Sequence, residues 1–379
     1  MTEVLKGVRV IELGTMITAP LAGMMLADLG ADVIKVERPD SGDPFRSFRG
    51  GLYSPQFIAF NRNKRSAMLD LQTEAGRASL RALLSQADVL IENYRPGVMD
   101  RLGLGADELR VQYPRLIWCS ITGFGADGPY ADRPAYDAVA GALSGLASIT
   151  LDREHPAASG PTIGDNVTGM YAAYGILGAL FEREKTGRGR RVEVNMLEAA
   201  VAFIPDAFSN YTRLQIDNQS RTRVATSQSY ALRCADGKLL ALHLSSPPKF
   251  WESLLQAIER PDLQDDPRFG SRDERVRHYQ ELEQELGAVF AGRDRLDWMT
   301  RLERADVPFA PIQTIAEVLD DPQIRHLRTF YEDTHPTEGP LTLVHRPVLI
   351  DGDRDIARRP PPTLGEHTVA VLSESLASK

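Results

Sequence analysis

The sequence predicts an α/β protein with a mostly parallel sheet. Short β-branched runs alternate with helical stretches in residues 1–120, which is typical of strands joined by crossover helices. The chain has 379 residues, which is long enough for two globular units. Its 42% hydrophobic and 25% charged residues are typical of a globular protein. We therefore expect one large and one smaller domain.

The strands of the large domain are predicted where apolar and β-branched residues cluster. The four buried strands are expected at residues 8–13, 33–37, 88–92 and 116–121. Between them, residues 21–29 predict one helix. Leu80, Leu83 and Leu84 share one face of a second helix, which follows Thr73.

A long helix is predicted from Val167 to Glu184. Its signal is the recurrence of large apolar residues at helical spacing, namely Met170, Tyr174, Leu177 and Phe181. The sequence TGRG at residues 186–189 ends this helix. Residues 192–196 then alternate as a strand.

The sequence changes character from Arg221 onwards. A strand pair flanks the turn at residues 235–237, and amphipathic helices are predicted around Trp251, Leu282 and Trp298. Thr314 and Glu317 have the spacing of a capping box, and Pro322 ends the short helix that they begin. We place the large domain at 1–197, a linker at 198–225, the small domain at 226–328, and a linker with a C-terminal segment at 329–379.

Charge and composition exclude several classes of partner. The chain has 44 basic and 52 acidic residues, a net charge of −8, and no basic tract, which disfavours nucleic acid and anionic membranes. Residues 138–149 and 170–181 are apolar but too short to span a bilayer. With two cysteines and no visible export signal, we expect a cytoplasmic protein without a membrane partner.

Residues 123–128, GFGADG, match the dinucleotide-binding pattern G-x-G-x-x-G after a predicted strand. A helix should begin within that motif, but residues 129–134 continue as turn-like sequence. The seven histidines show no metal-ligand spacing, and neither a G-x-S-x-G elbow nor a Walker A loop is present. The sequence therefore does not support a dinucleotide, metal, serine-hydrolase or P-loop enzyme, and no metal site is predicted.

Polar residues cluster close to the predicted strands, and in an open α/β sheet ligands bind at the carboxyl ends of the strands. They are Arg38, Arg62, Lys64, Arg65, Asn93, Arg95 and Arg101. Several converging cations would suit a phosphate-rich cofactor. Solvated surface charges remain the alternative, because charged side chains are usually exposed.

Asp165 lies in the sequence GDNVTG, residues 164–169, directly before the predicted long helix. It could be the N-cap of that helix, since Asp is a preferred capping residue. The helix N-terminus would also keep the carboxylate ionised and nucleophilic at neutral pH. Glycines at 164 and 169 would let a bulky acyl group approach the backbone.

Eight ordered motifs carry a resemblance that covers nearly the whole chain. They are GVRVIEL (7–13), LGADVIKVERP (29–39), NKRS (63–66), ENYRPG (92–97), AYD (135–137), GD (164–165), TGRG (186–189) and LGEHT (364–368). Together these segments resemble the family III CoA-transferases, the CaiB/BaiF family, which includes formyl-CoA:oxalate and carnitine CoA-transferases.

The resemblance implies a Rossmann-like large domain completed by the C-terminal segment, a smaller α+β domain, and an interlocked ring homodimer. It implies that Asp165 is the catalytic carboxylate and that coenzyme A or acyl-CoA is a substrate, with no cofactor bound permanently. The positions implied to contact CoA are Met16, Ile17, Thr18, Arg38 (near the nucleotide phosphates), Leu69, Asn93, Arg101, Tyr136 and Asp137.

The implied mechanism is acyl transfer through Asp165. The carboxylate attacks the donor thioester to form a mixed anhydride, and the released CoA thiolate converts it to an aspartyl-CoA thioester. The acceptor carboxylate then repeats these steps in reverse. The substrates would be an acyl-CoA and a carboxylic acid, and a dicarboxylate such as succinate is the first expectation.

Two alternative functions remain open. The same superfamily contains α-methylacyl-CoA racemases, in which a histidine precedes the aspartate of the AYD segment; here that position is Tyr136, and phenol is a weak base near neutral pH. A non-catalytic CoA-binding homologue is the other alternative, although it would be expected to lack Asp165. Ile17 and the absence of glycine from residues 221–234 also depart from the formyl-CoA branch.

Overall fold

The computed structural model of the chain describes residues 3–158, 160–355 and 358–377. The chain divides into two units. The larger unit comprises Met1–Ala147, Ala158–Pro205 and His326–Lys379, and the smaller comprises Ser148–Ala157 and Asp206–Arg325. These bounds differ from the expected ones. Residues 148–157 belong to the smaller unit, the expected linker at 198–225 divides between the larger unit (198–205) and the smaller unit (206–225), and residues 326–328 belong to the larger unit.

The larger unit contains a six-stranded parallel sheet. Its strands are β1 (Arg9–Glu12), β2 (Asp32–Glu37), β3 (Lys64–Met68), β4 (Val89–Glu92), β5 (Ile117–Thr122) and β6 (Arg191–Asn195). Their order is β3-β2-β1-β4-β5-β6, and all neighbours run parallel. Doubly wound sheets that bind nucleotides share this order, in which the direction of winding reverses between β1 and β4.

Five of these strands were predicted from the sequence, and β3 was not. Its sequence, KRSAM, contains two basic residues that are both buried in the fold. A strand with this composition has no apolar run, so pattern analysis could not detect it.

Helices cover the sheet. Those of residues 18–203 are α1 (Thr18–Ala27), α2 (Pro55–Phe60), α3 (Glu74–Leu84), α4 (Val98–Arg101), α5 (Ala106–Gln112), α6 (Asp137–Leu143), α7 (Leu146–Thr150), α8 (Ile163–Thr186) and α9 (Met196–Phe203). Side chains alternate between the two faces of each strand. Val10 and Val33 therefore pack with α1 and α8, whereas Ile11 and Ile34 pack with α3 on the other face.

The long helix α8 was correctly predicted, but it begins four residues before the expected start and presents the opposite face to the core. Its buried residues are mostly small, for example Ala172, Ala173 and Ala179. The large apolar residues used to predict it point outward: Met170 is 54% exposed, Tyr174 is 75% exposed and Phe181 is 67% exposed. Helical spacing identified a helix, but it could not identify which apolar face packs on the sheet.

The smaller unit contains an antiparallel sheet with helices. The helices of residues 205–326 are α10 (Pro205–Leu214), α11 (Thr222–Ser227), α12 (Pro248–Ala257), α13 (Asp262–Asp265), α14 (Arg272–Arg277), α15 (Tyr279–Phe290), α16 (Arg295–Arg304), α17 (Ile315–Asp320) and α18 (Pro322–His326). The strands are β7 (Ser229–Arg233), β8 (Leu239–His243) and β9 (Phe309–Ile312).

Most of the predicted elements of the smaller unit are confirmed. The strand pair around residues 235–237 is β7 and β8, and the capping box of Thr314 and Glu317 begins α17. Phe290 and Trp298 stack in the core with ring centroids 4.5 Å apart. The third strand, β9, was not predicted.

The C-terminal segment belongs to the larger unit. It forms the hairpin β10 (Phe330–His335) and β11 (Gly339–Val344), followed by α19 (Thr368–Ala377). The amide of His367 donates to the carbonyl of Ser66 at 2.9 Å, and Arg65 pairs with Glu374 at 2.8 Å. The segment therefore completes the outer edge of the sheet beside β3. None of the described helices is long and apolar enough to cross a membrane.

Candidate active site

The loops that follow β1 and β4 border a cleft of about 400 Å³, which we call the Asp165 cleft. Its walls are formed mainly by residues 15–18, 93–96 and 121–123, with Arg133, Tyr136, Asp165 and Met196. The strand order reverses between β1 and β4, and open α/β sheets bind ligands at that point.

A second cleft of about 700 Å³ lies beside the first, and we call it the Arg38 cleft. Residues 35–40, 42–44 and 69–72 form much of its wall. Thr15, Tyr94 and Val98 line both clefts, so the two are contiguous. Each has the volume of a typical ligand pocket, roughly 300–1,000 Å³.

Asp165 is the third residue of α8, and Thr162 is the N-cap. The interpretation of Asp165 as the N-cap is therefore wrong, because the helix begins earlier than its apolar spacing indicated. The amide of Asp165 donates to Oδ1 of Asp137 at 3.1 Å. Within the described part of the chain, no donor forms a hydrogen bond with the Asp165 carboxylate.

The environment of Asp165 favours its neutral form more than the sequence indicated. Burial raises the pKa of Asp165 to about 6, and the nearby carboxylate of Asp137 contributes to this increase. With a pKa near 6, about 90% of the carboxylate is ionised at pH 7, and without hydrogen-bond donors its oxygens stay available for attack.

The glycines beside Asp165 have packing functions. A Cβ at Gly169 would lie 2.7 Å from the carbonyl of Thr18, so this glycine lets α8 pack closely on α1. A Cβ at Gly164 would lie 3.1 Å from Oδ1 of Asp137. The expectation that Gly169 admits an acyl group is therefore wrong, because that position faces α1.

The loop after β1 is held from two sides. The side chain of Asn93 accepts from the amide of Thr15 and donates to its carbonyl, both at 2.9 Å, and it donates to Oγ1 of Thr18 at 3.0 Å. The amide of Met16 donates to the carboxylate of Asp43 at 3.1 Å. Met16 has a φ of 66°, an uncommon conformation for a side-chain-bearing residue, and these contacts hold it there.

A buried ionic network holds Asp43 in place and thereby stabilises this loop. Nζ of Lys35 lies 2.9 Å from both Asp43 and Glu12, and Lys64 lies 2.9 Å from Glu12. Burial disfavours the charged form of Lys35, but the carboxylates of Asp43 and Glu12 outweigh it and raise its pKa. Burial lowers the pKa of Lys64 to about 8, although Glu12 opposes that change. Glu12 is therefore the central carboxylate between two buried lysines.

We expect Glu12→Ala to destabilise the protein by about 3–5 kcal/mol, because it leaves Lys35 and Lys64 buried without their shared carboxylate. Urea unfolding would measure the loss. The control is Glu74→Ala, which removes an exposed carboxylate paired with Arg77 and should barely change the unfolding midpoint. Equal midpoints for the two variants would contradict a structural role of the network.

The structure brings together most of the residues expected from the sequence. Met16, Ile17, Thr18, Asn93 and Tyr136 line the Asp165 cleft, and Arg38 and Leu69 line the Arg38 cleft. Asp137 contacts the backbone of Asp165. Arg101 is exposed at the end of α4 and is not part of the lining of either cleft.

Three of the expected phosphate-binding cations have structural partners instead. Arg62 pairs with Asp28 at 2.5 Å, Lys64 pairs with Glu12, and Arg65 pairs with Asp32 at 2.6 Å. Arg62 precedes β3, and Lys64 and Arg65 begin it, so their backbone lies at the amino end of the strand, away from the ligand-binding edge; the Lys64 ammonium extends to Glu12 at the end of β1. The interpretation that they converge on a cofactor is therefore wrong; without β3, the sequence did not show on which side of the sheet they lie.

Sequence analysis missed Asp43 and Arg133. Asp43 follows Gly42 and precedes Pro44, a turn pattern that indicated nothing about its contact with Met16. Arg133 lies in the loop after β5, and its position beyond the carboxyl end of a parallel strand was the available signal. The turn-like sequence of residues 129–134 was used only to reject a dinucleotide site.

The fold is that of an α/β protein with two clefts of ligand-binding size at the carboxyl ends of a parallel sheet. The chain belongs to CoA-transferase family III, whose family model matches residues 5–368.

Relatives of known activity match almost the whole chain. It is similar to the succinyl-CoA:glutarate CoA-transferase of Mus musculus, with 33% identity over 98% of this chain and 86% of the relative. It is also similar to the succinate–glutarate CoA-transferase of Agrobacterium fabrum, with 36% identity over 98% of this chain and 95% of the relative. Among solved structures, a CaiB/BaiF family protein from Brucella suis has 30% identity and a TM-score of 0.86, over 98% of this chain and 99% of that chain.

Proposed function

We propose that this family III CoA-transferase moves CoA from an acyl-CoA donor to a carboxylic acid through an aspartyl-CoA thioester on Asp165, and that dicarboxylates such as succinate and glutarate are its acids. The observation that carries the proposal is the state of the Asp165 carboxylate, which accepts no hydrogen bond from any described residue. It lies in a cleft that is contiguous with a second cleft of ligand-binding size. The activities of the relatives from Mus musculus and Agrobacterium fabrum support the choice of acids.

The reaction has two half-reactions through Asp165. Its carboxylate oxygen attacks the thioester carbonyl and expels the CoA thiolate, which leaves a mixed anhydride. The thiolate attacks the Asp165 acyl carbon and releases the donor acid, so the aspartyl-CoA thioester remains. The acceptor carboxylate attacks that thioester and expels the thiolate again. The thiolate then attacks the acceptor carbonyl of the second anhydride, which forms the new acyl-CoA and regenerates Asp165.

The two contiguous clefts suit the two ends of a CoA thioester. Arg38 would bind nucleotide phosphates in its cleft beside Leu69, because guanidinium forms strong charge-assisted hydrogen bonds with phosphate. The loop of residues 16–18 with Asn93 and Tyr136 would guide the pantetheine arm towards Asp165. Asp137 would hold the backbone of Asp165, and exposed Arg101 would contact the nucleotide from outside the clefts.

We also propose that the protein is an interlocked homodimer. Its support is the outward stripe of Met170, Tyr174, Leu177 and Phe181 on α8, defined here as the α8 stripe. An exposed apolar stripe on a long helix is typical of a surface that another chain covers. A second copy of the chain would carry the same stripe and could cover it.

Incubation with succinyl-CoA and glutarate, followed by mass spectrometry, tests the proposed function. We expect glutaryl-CoA and succinate to form without net hydrolysis of the thioester. A racemase would instead exchange an α-proton of a 2-methylacyl-CoA with deuterated water, and a non-catalytic homologue would do neither. Absence of transfer with a panel of acyl-CoA donors and acids would contradict the proposal.

We expect the rate of transfer to fall as the pH drops through about 6, because Asp165 must be ionised to attack and its pKa is raised to about 6. The ionised form is present above this pKa and is lost below it, so well below pH 6 the rate should fall about tenfold per pH unit. The pH dependence of kcat/KM for the donor measures this fall, which we call the acidic limb of the pH profile.

Asp137→Asn should move that limb to lower pH, because it removes a charge that raises the pKa of Asp165 and keeps an oxygen to accept from the Asp165 amide. Asp127→Asn is the control, since Asp127 is exposed in the loop after β5 and outside the cleft lining. A limb near pH 4 in the unaltered protein, or the same limb in both variants, would contradict the role of Asp137.

A further inference from the structure

We propose that Arg133 binds the distal carboxylate of the acid and thereby makes the enzyme selective for dicarboxylates. The inference rests on the proposed function, because it assigns a substrate group to the same cleft. Arg133 lines the Asp165 cleft together with Thr122, Tyr136 and Met196. The sequence analysis did not assign it a role.

The loop that carries Arg133 is closed at its base. Gly123 and Ala135 meet so closely that a Cβ at Gly123 would lie 2.1 Å from the Cβ of Ala135. Gly125 and Gly128 have φ values of 104° and 89°, which side-chain-bearing residues rarely adopt. The glycines of the GFGADG motif therefore shape a compact loop instead of a dinucleotide site.

An aromatic platform within this loop holds the Arg133 side chain. The guanidinium carbon lies 3.9 Å from the centre of the Tyr130 ring, and Tyr130 packs edge-on against Phe124 with centroids 6.1 Å apart. The amide of Arg133 donates to the carbonyl of Tyr130 at 2.9 Å. Contact with the ring orients the guanidinium and leaves the N–H groups at its edge available to a ligand.

The charge of Arg133 is not neutralised by the protein. No aspartate or glutamate in residues 3–158, 160–355 or 358–377 forms an ion pair with it. Among the described residues, the cleft lining contains one acidic side chain, Asp165, and two basic ones, Arg95 and Arg133. Arg95 also lines a neighbouring cleft whose lining includes Glu92, Asp100 and Asp107, whereas Arg133 does not line that cleft. Of the two cations, Arg133 is therefore the one that acidic residues of the neighbouring cleft do not compete for.

A cation at this position would stabilise the distal carboxylate of a dicarboxylate substrate. The distal carboxylate of an acyl-CoA donor enters a cleft that contains the Asp165 carboxylate, and a dicarboxylate acceptor brings a second carboxylate beside the one that reacts; like charges at short range repel. A planar guanidinium binds a carboxylate through two parallel hydrogen bonds and cancels that charge. A monocarboxylate of the same chain length would leave Arg133 without a partner and would bind more weakly.

The test compares glutarate with pentanoate, which has the same five carbons but lacks the distal carboxylate, at a fixed succinyl-CoA concentration. In a ping-pong reaction, kcat/KM for the acceptor reports the second half-reaction alone. We expect the unaltered protein to prefer glutarate. In Arg133→Gln, the ratio of the two kcat/KM values should fall roughly 10²-fold, with pentanoate little changed.

Two further variants distinguish a loss of acid binding from a general loss of activity. Arg133→Lys keeps the charge but loses the paired geometry, so its ratio should lie between those of the unaltered protein and Arg133→Gln. Arg188→Gln removes an exposed arginine from the turn after α8 and should leave the ratio unchanged.

An equal loss for glutarate and pentanoate in Arg133→Gln would overturn the proposal, because it would assign Arg133 to CoA. An unchanged ratio, or a preference of the unaltered protein for pentanoate, would overturn it as well. In each of these results the protein still transfers CoA. Transfer by the unaltered protein to no acid from any donor would instead refute the proposed function, and this inference with it.

Discussion

Asp165→Ala is expected to lower the rate of CoA transfer by roughly 10⁴-fold or more, because in the proposed mechanism its carboxylate bonds to both acyl carbons, and no other acid lines its cleft in the described part of the chain. CoA affinity should stay nearly unchanged, since the Arg38 cleft is intact. Steady-state kinetics measure the first effect, and calorimetric titration with CoA measures the second.

Chemical trapping tests whether the proposed intermediate forms on the same residue. Hydroxylamine should convert an aspartyl thioester to a hydroxamate on the peptide that contains Asp165, and Asp165→Ala should show no label. Asp127→Ala, which removes an exposed carboxylate outside the cleft lining, is the matched control and should keep both turnover and label. Retained turnover in Asp165→Ala, or a label on another residue, would refute the assignment.

The sequence pattern predicted the strands and helices whose buried residues are apolar and either consecutive or regularly spaced. Strands β1, β2, β4 and β5 each contain a short run of apolar residues, and residues 80–84 place leucines on one helical face. The strand β3 has no such run, and both of its basic residues are buried. Lys64 is buried because Glu12, 52 positions earlier in the chain, supplies its counter-charge. That partnership depends on the fold, so the sequence could not show it.

The candidate site could likewise be predicted only in part. The loops after β1 and β4 could be placed together because the carboxyl ends of parallel strands share an edge. The left-handed conformation of Met16 and its contact with Asp43 could not, since they depend on the path of residues 38–46. The pKa of Asp165 was also beyond sequence analysis, because it depends on burial and on Asp137, which is 28 positions away.

Tyr174→Asp is expected to prevent assembly of the proposed dimer. Tyr174 lies in the middle of the α8 stripe and is 75% exposed in the single chain. If a second chain covers the stripe, each interface would bury two unpaired carboxylates, and burial of an unpaired charge is strongly unfavourable. Light scattering should then report the mass of a single chain, or the variant should aggregate.

Val111→Asp is the matched control for this substitution. Val111 is 84% exposed on α5, also in a helix of the larger unit, so the same change of apolar to acidic residue should leave the assembled mass unaltered. Transfer by Tyr174→Asp should fall more than tenfold, because Met170, in the same stripe, lies little more than one helical turn from Asp165. If the two variants had the same mass and turnover, the α8 stripe would face solvent, because the two substitutions should differ in effect only when a second chain covers Tyr174.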